Sequence, residues 1–385
     1  MAQPLRILHI ISGLSMGGAE MVLYRLLSRL ENDLFTNQVI SLTDDQPLGE
    51  LIRNLGIPVT QLGFRRSIPD PRLITCLMAH LRETQPDLVQ TWMYHADLTG
   101  GLAARLTGST PVVWGLHHTV TGYKSLRPTT YFIARINALI SHFLPAKVIC
   151  CAETTRSTHI KLGYSAKKMT VIPNGFDLET FQPSPQARHA VREELGVEKE
   201  TLLIGMGARF DPQKDHKTFL YAAQLLQQDN PQVHFVLWGK GVDCANSTLV
   251  NRTRSYGLGS SIHFLGLRQD APRLTAAMDM ISLSSAYGEA FPLVIGEAMA
   301  SAVPCVVTDI GDAAAMVGET GRVVPARNPG ALAKAWQELL NMSPSGRSNL
   351  GKKARQRIER HYSLKNMAQR YGQIYRDIIE QGQRR

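Results

Sequence analysis

Long hydrophobic runs, paired cysteines and clustered metal ligands are all missing from this 385-residue sequence. No uninterrupted apolar stretch reaches the ~18 residues that a membrane span needs. The N-terminus, "MAQPLRILHIISGL", has one arginine and no small-residue cleavage site, so no signal peptide is expected. The cysteines (Cys76, Cys150, Cys151, Cys244 and Cys305) show no C-x-x-C spacing. That excludes a zinc ribbon or a disulfide framework and leaves reduced, buried thiols of a cytoplasmic protein. D-x-D is absent too, so a metal-held diphosphate is not expected and no metal site is assigned.

Acidic residues are the scarcer charge, 32 against 42 Lys and Arg, for a net charge of +10. The excess concentrates between Lys124 and Lys168, where eight basic residues face one acid, Glu153. No reading motif and no aromatic–basic alternation accompanies it, so no nucleic-acid partner is expected. Two readings stand: a solvated basic face, or attraction to an anionic membrane surface at about 1 kcal/mol per cation near the headgroups. The same segment holds "TTYFIARINALISHFL" (129–144), apolar at roughly helical spacing.

What is present is alternation. The length suits two domains, and 44% apolar with 19% charged residues describes an ordinary globular protein. Short β-branched runs, each followed by a helical stretch, recur at 6–12, 37–42, 86–92, 111–117, 146–152 and 169–174. A second series follows at 201–208, 233–239, 261–266, 280–285, 304–309 and 321–325. Continuous apolar strands between helices predict parallel sheets covered on both faces, hence two doubly wound α/β domains. The turn-rich stretch 173–186 marks the boundary, and 362–381 reads as a terminal amphipathic helix. Ligands of such sheets sit at the carboxyl ends of the strands.

Four constellations fall at those ends. "SGLSMGGAE" after the first strand opens a helix; it is not G-x-G-x-x-G, and Gly17–Gly18 suit a phosphate or sugar contact better than a dinucleotide. In "GARFDPQKDH", Arg209 and Lys214 could clamp a diphosphate, whereas two idle cations near a helix start would oppose its dipole. His117, with His118 as its neighbour, ends the fourth strand, where a histidine can bind a sugar hydroxyl; a merely buried histidine is the plain alternative. "YGEAFPLVIGEAMA" (287–300) carries Glu289 on a loop and Glu297 on the following helix, eight residues apart among small and apolar neighbours, with Gly296 keeping that face open. Ribose offers vicinal hydroxyls to one carboxylate, and a sugar oxocarbenium needs an anion from the other. Both glutamates would serve one nucleotide-sugar.

With these motifs, "VIPNGFD" (171–177), "HFLG" (263–266) and "GRVVP" (321–325), the sequence resembles the family 4 retaining glycosyltransferases of GT-B fold over essentially its full length. The resemblance implies two Rossmann-like domains facing across a cleft: residues 1–178 for the acceptor, 179–365 for the nucleotide-sugar, and 366–385 as a helix returning toward the first. It implies that Arg209 and Lys214 bind the donor diphosphate, Glu289 the transferred sugar and Glu297 the ribose. Ala290, Phe291, Pro292, Leu293 and Val294 would complete that site, together with Gly17, Gly18, Gly239 and Leu265. His117, Glu289, Arg209 and Lys214 would form the catalytic set. No cofactor is implied beyond a nucleotide diphosphate sugar, with UDP as the expected nucleotide; Trp238 and Lys240 flank the expected base pocket. The acceptor would be a glycan or a lipid-linked one, reached from the cytoplasm and the inner membrane surface. A sugar-nucleotide epimerase or a non-catalytic nucleotide-sugar sensor is the alternative.

Overall fold

The computed structural model describes residues 3–64, 70, 72–108, 110–120, 122 and 126–383. The chain divides into two compact units. The first runs to Gly175 and takes in the segment from Leu364 onward; the second is Phe176–Ser363.

In the first unit, β1 (Leu5–Ile11), β2 (Phe35–Ser41), β3 (Val59–Gln61), β4 (Leu88–Trp92), β5 (Val112–Leu116), β6 (Lys147–Cys150) and β7 (Met169–Val171) form one sheet. Its order is β3-β2-β1-β4-β5-β6-β7, parallel throughout. In the second, β8 (Leu203–Gly207), β9 (His234–Trp238), β10 (Ile262–Phe264), β11 (Met280–Leu283), β12 (Cys305–Thr308) and β13 (Arg322–Val324) are ordered β10-β9-β8-β11-β12-β13, again parallel. Strands β4, β5, β11 and β12 are buried along their whole length, as sheets covered by crossover helices require. Sequence alternation misses only β3, "VTQ", a three-residue edge strand that is mostly exposed and carries little apolar signal.

Strand order reverses between β1 and β4 in the first unit and between β8 and β11 in the second. At such a switch point the outgoing loops run to opposite faces and leave a crevice at the carboxyl ends. Each unit has its own core. Trp114 and Tyr94 anchor the first, and Phe219 packs edge to face on Phe235 and Trp336 in the second.

The last helix, Leu364–Gln383, belongs to the first unit, as the resemblance implied. Its stripe Leu364, Met367, Ala368, Tyr371, Tyr375 and Ile379 is buried at three- and four-residue spacing. Tyr375 Oη donates to Gln90 Oε1 at 3.1 Å, tying the helix to β4.

No helix among the described residues is long and apolar enough to cross a membrane. The expectation that all the thiols are buried fails at Cys244, which is exposed in the turn before the helix Ser247–Ser255, and at Cys76, which is only half-buried. Lys124, at one end of the basic segment, lies outside the described residues.

Candidate active site

The switch point of the second unit gathers the charged residues. After β8 the chain makes a 3-10 turn, Pro212–Lys214, capped by Asp211 Oδ1, which accepts from Gln213 N at 2.9 Å. Asp215 then adopts a left-handed φ of 47° and caps the helix His216–Gln227 through Thr218 N at 3.2 Å. Asp tolerates that conformation better than most residues. This tight path turns Lys214 inward. The loop leaving β11 locks against it: Ala286 N donates to Gln213 O at 2.8 Å, and Ser284 Oγ to Lys214 O at 2.9 Å.

Lys214 Nζ meets Glu289 Oε1 at 2.5 Å, with side chains only 13% and 8% exposed. Ser285 Oγ donates to the same carboxylate oxygen at 2.5 Å, and Thr308 Oγ1 fixes the Ser285 carbonyl at 2.7 Å. Sequence reading placed Lys214 and Glu289 at two strand ends; the β8–β11 pairing brings them together. Lys214 is therefore not a surface cation. Arg209 differs: its side chain is 55% exposed and rests on Asp211 Oδ2 at 3.3 Å and Gln213 Oε1 at 3.0 Å. The bare clamp of two cations is thus one half-buried, paired lysine and one open arginine.

Pro292 is the N-cap of the helix Leu293–Ala300, one position before its first turn, and makes no side-chain cap. The first amides of a helix lack intrahelical acceptors, so those of Leu293 and Val294 stand available to an anion. Ala290, Phe291 and Pro292 are buried, while Leu293, Val294 and Glu297 are half-buried. Gly296 does not keep an open face. The Phe176 ring fills it so closely that a Cβ would overlap the ring, and Phe176 stacks on Phe291 at 6.1 Å. Gly311, which sequence reading passed over, has φ +65° and would drive any side chain into the Glu289 carbonyl. Its place in "TDIGD" after β12 was the available signal. Gly239, at φ 141°, sits against the Ala208 carbonyl, and its N–H donates to Gly266 O at 2.7 Å. Leu265, joined to Leu237 O at 3.0 Å, is half-buried. The buried Trp238 ring packs over Gly207, and Lys240 is exposed.

Two carboxylates lie near the first unit's switch point: Glu20, whose side chain sits against Gly17, and the buried Asp97, which accepts from Thr91 Oγ1 at 2.6 Å. Gly17 caps the helix Gly18–Leu27 in extended conformation with no side-chain cap, and the space over Gly18 is open. At the end of β4, Trp92 Nε1 donates to His9 Nδ1 at 3.3 Å, and His9 Nε2 meets Asn37 Oδ1 at 3.1 Å. His117 stacks on Trp92 at 5.1 Å. Its two ring nitrogens are buried without a well-formed hydrogen bond, and burial lowers its pKa to about 4 against an opposing contribution from Asn174. Met93, next in the chain, has φ 71°. Such strain costs about 1–3 kcal/mol and concentrates at functional sites. His118, by contrast, acts electrostatically on the buried His159.

Two Rossmann-like parallel-sheet units, one with a charged switch point, define the class as a doubly wound α/β protein. The particular family follows from two matches: residues 201–342 match "Glycosyl transferases group 1", and residues 16–180 match "Glycosyltransferase Family 4". The chain is 30% identical over 249 residues to the UDP-Gal:alpha-D-GlcNAc-diphosphoundecaprenol alpha-1,3-galactosyltransferase of Escherichia coli, a match that spans 63% of each chain. It is 28% identical over 313 residues, 79% of each chain, to EpsF of Bacillus subtilis (strain 168), named as a glycosyltransferase by inference. Among solved structures, Anabaena HepE in complex with UDP superposes with a TM-score of 0.84 at 23% identity, covering 97% of this chain and 100% of that one. The fold is therefore GT-B, and both units carry glycosyltransferase family sequence.

Proposed function

We propose that this protein is a retaining, metal-independent glycosyltransferase that moves a hexosyl or N-acetylhexosaminyl group from a UDP-sugar to a lipid-linked or polysaccharide acceptor. The largely buried Lys214–Glu289 pair at the β8–β11 switch point carries the reading. A lone buried pair is weak evidence for stability. Placed beside an uncapped helix N-terminus it makes sense as a site that receives both an anion and a developing cation. The donor and acceptor in the name of the Escherichia coli relative support the choice of UDP and of a lipid-linked acceptor.

In this reading Lys214, Arg209 and the Leu293 and Val294 amides hold the diphosphate, Glu297 the ribose and Glu289 the sugar, with Gly239 and Leu265 beside the base. In the first unit Gly17, Gly18 and His117 serve sugar or phosphate contact. The bond from the sugar's anomeric carbon to the diphosphate oxygen breaks, and a bond from the acceptor oxygen forms on the same face. The acceptor's proton passes to the departing diphosphate oxygen. Lys214 neutralises the charge on that oxygen, and Glu289 stabilises the positive charge on the sugar.

Incubation with a panel of UDP-sugars and an undecaprenyl diphosphate-linked sugar acceptor, in excess EDTA, tests this. Transfer with an axial donor bond kept axial, read by proton NMR coupling constants, is expected. An inverted product refutes retention. Loss of turnover in EDTA restored by magnesium or manganese refutes metal independence, and release of an altered sugar nucleotide without acceptor makes the protein an epimerase.

A further inference from the structure

The basic segment of the first unit also carries an apolar face that no described residue covers. On the helix Pro128–Ile140 and the turn after it, Phe132, Leu139 and Phe143 are 66%, 74% and 72% exposed. Their spacings of seven and four residues place them in one stripe along the helix. Ala134, Asn137, Ala138 and Ser141, on the opposite side, are buried in the unit. A helix apolar on both sides is normally enclosed, and an exposed apolar stripe marks an interaction surface.

The flank of the stripe says what covers it. Arg135 donates to Leu162 O at 3.3 Å and His142 approaches Gly163 O at 3.2 Å, so the exposed Lys161 lies alongside. No acidic residue occurs from Arg127 to Ala152. A second copy of the chain would set like charge against like. A surface that is apolar beneath and anionic above matches both parts.

We propose that this helix is a membrane-docking element: Phe132, Leu139 and Phe143 enter the headgroup–acyl boundary of an anionic bilayer while Arg127, Arg135 and Lys161 meet lipid phosphates. The inference goes beyond the proposed reaction and does not depend on it. Charge alone would give adsorption that salt reverses. Inserted side chains leave a salt-resistant part, because screening at about 1 M salt reaches ~3 Å but does not touch apolar burial.

Co-sedimentation of the full chain with vesicles of phosphatidylcholine alone, or with phosphatidylglycerol added, tests the proposal. Wild type is expected to bind the phosphatidylglycerol vesicles, and about 1 M salt to weaken binding without abolishing it. The triple variant Phe132→Ser, Leu139→Ser, Phe143→Ser alters only exposed side chains and is expected to lose at least roughly tenfold in partitioning, with UDP affinity unchanged. Three outcomes overturn the proposal: no binding to phosphatidylglycerol vesicles, equal partitioning of variant and wild type, or a wild-type dimer on gel filtration that the triple variant converts to monomer. Failure of the proposed reaction would instead appear as absent turnover with vesicle binding intact.

Discussion

The two switch points share one topology and differ in chemistry. In the second unit the strand ends hold Lys214, Glu289, Arg209 and Asp211, charge meeting charge, with an uncapped helix start beside them. In the first they hold a neutral stack of His9, Trp92 and His117. Burial lowers both histidines to about pKa 4, so they are uncharged at neutral pH. Each switch point also contains a non-glycine residue at positive φ, Met93 in one and Asp215 in the other. Fold alone therefore assigns no role. The residues at the strand ends differ, an ion pair in one unit and an aromatic stack in the other.

The largest expected break falls on Glu289. Glu289→Gln keeps the shape and removes the charge proposed to face the sugar, so kcat should fall about 10²- to 10³-fold, as when other transition-state electrostatic contacts are deleted. Steady-state kinetics at saturating donor measures it; normal turnover would remove Glu289 from the chemistry. Glu297→Gln, half-buried at the helix face, should instead raise the donor KM with kcat nearly unchanged.

A smaller effect separates the units by pH. Among the described residues the first holds three histidines lowered to about 4 by burial (His9, His117 and His159), whereas the second holds one, His216, together with His234 and His263, which burial also lowers. Between the ordinary value of 6.5 and about 4, the unfolded chain binds protons that the folded one refuses. Stability is full above about pH 6.5 and declines as pH falls toward 4, by at most about 1.4 kcal/mol per histidine per pH unit. The histidines should therefore loosen the first unit first on acidification, against an opposing gain from the buried Asp97, whose carboxyl pKa burial raises. Equilibration at pH 7 and pH 5 in urea, followed by pulsed hydrogen exchange at a fixed labelling pH, reads each unit separately. Earlier loosening of the second unit would contradict the asymmetry.

Sequence reading succeeded where a single local signal sufficed. Twelve of the thirteen strands among the described residues announce themselves as apolar runs between turn formers, and the last helix as a stripe of Tyr371, Tyr375 and Ile379. It failed where partners are distant in the chain. Lys214 and Glu289 become a pair only once β8 lies beside β11. The role of Gly296 needs Phe176, 120 positions earlier, and Gly311 matters through the Glu289 carbonyl. The basic segment was visible as charge, but the outward stripe of Phe132, Leu139 and Phe143 depends on which side of the helix the core occupies. Spacing alone does not say.

The central claim is that the switch point of the second unit is a diphosphate site built on Lys214. Calorimetric titration of UDP into wild type and Lys214→Ala, in EDTA, tests it most directly. Loss of a charge-assisted hydrogen bond is worth roughly 1.5–3 kcal/mol, or about 10- to 150-fold in affinity. The variant should lie near the upper end, because Glu289 would be left as an uncompensated buried carboxylate beside the ligand. Arg209→Ala, an exposed partner, should fall near the lower end. UDP affinity unchanged in Lys214→Ala, with the variant folded, would contradict the account.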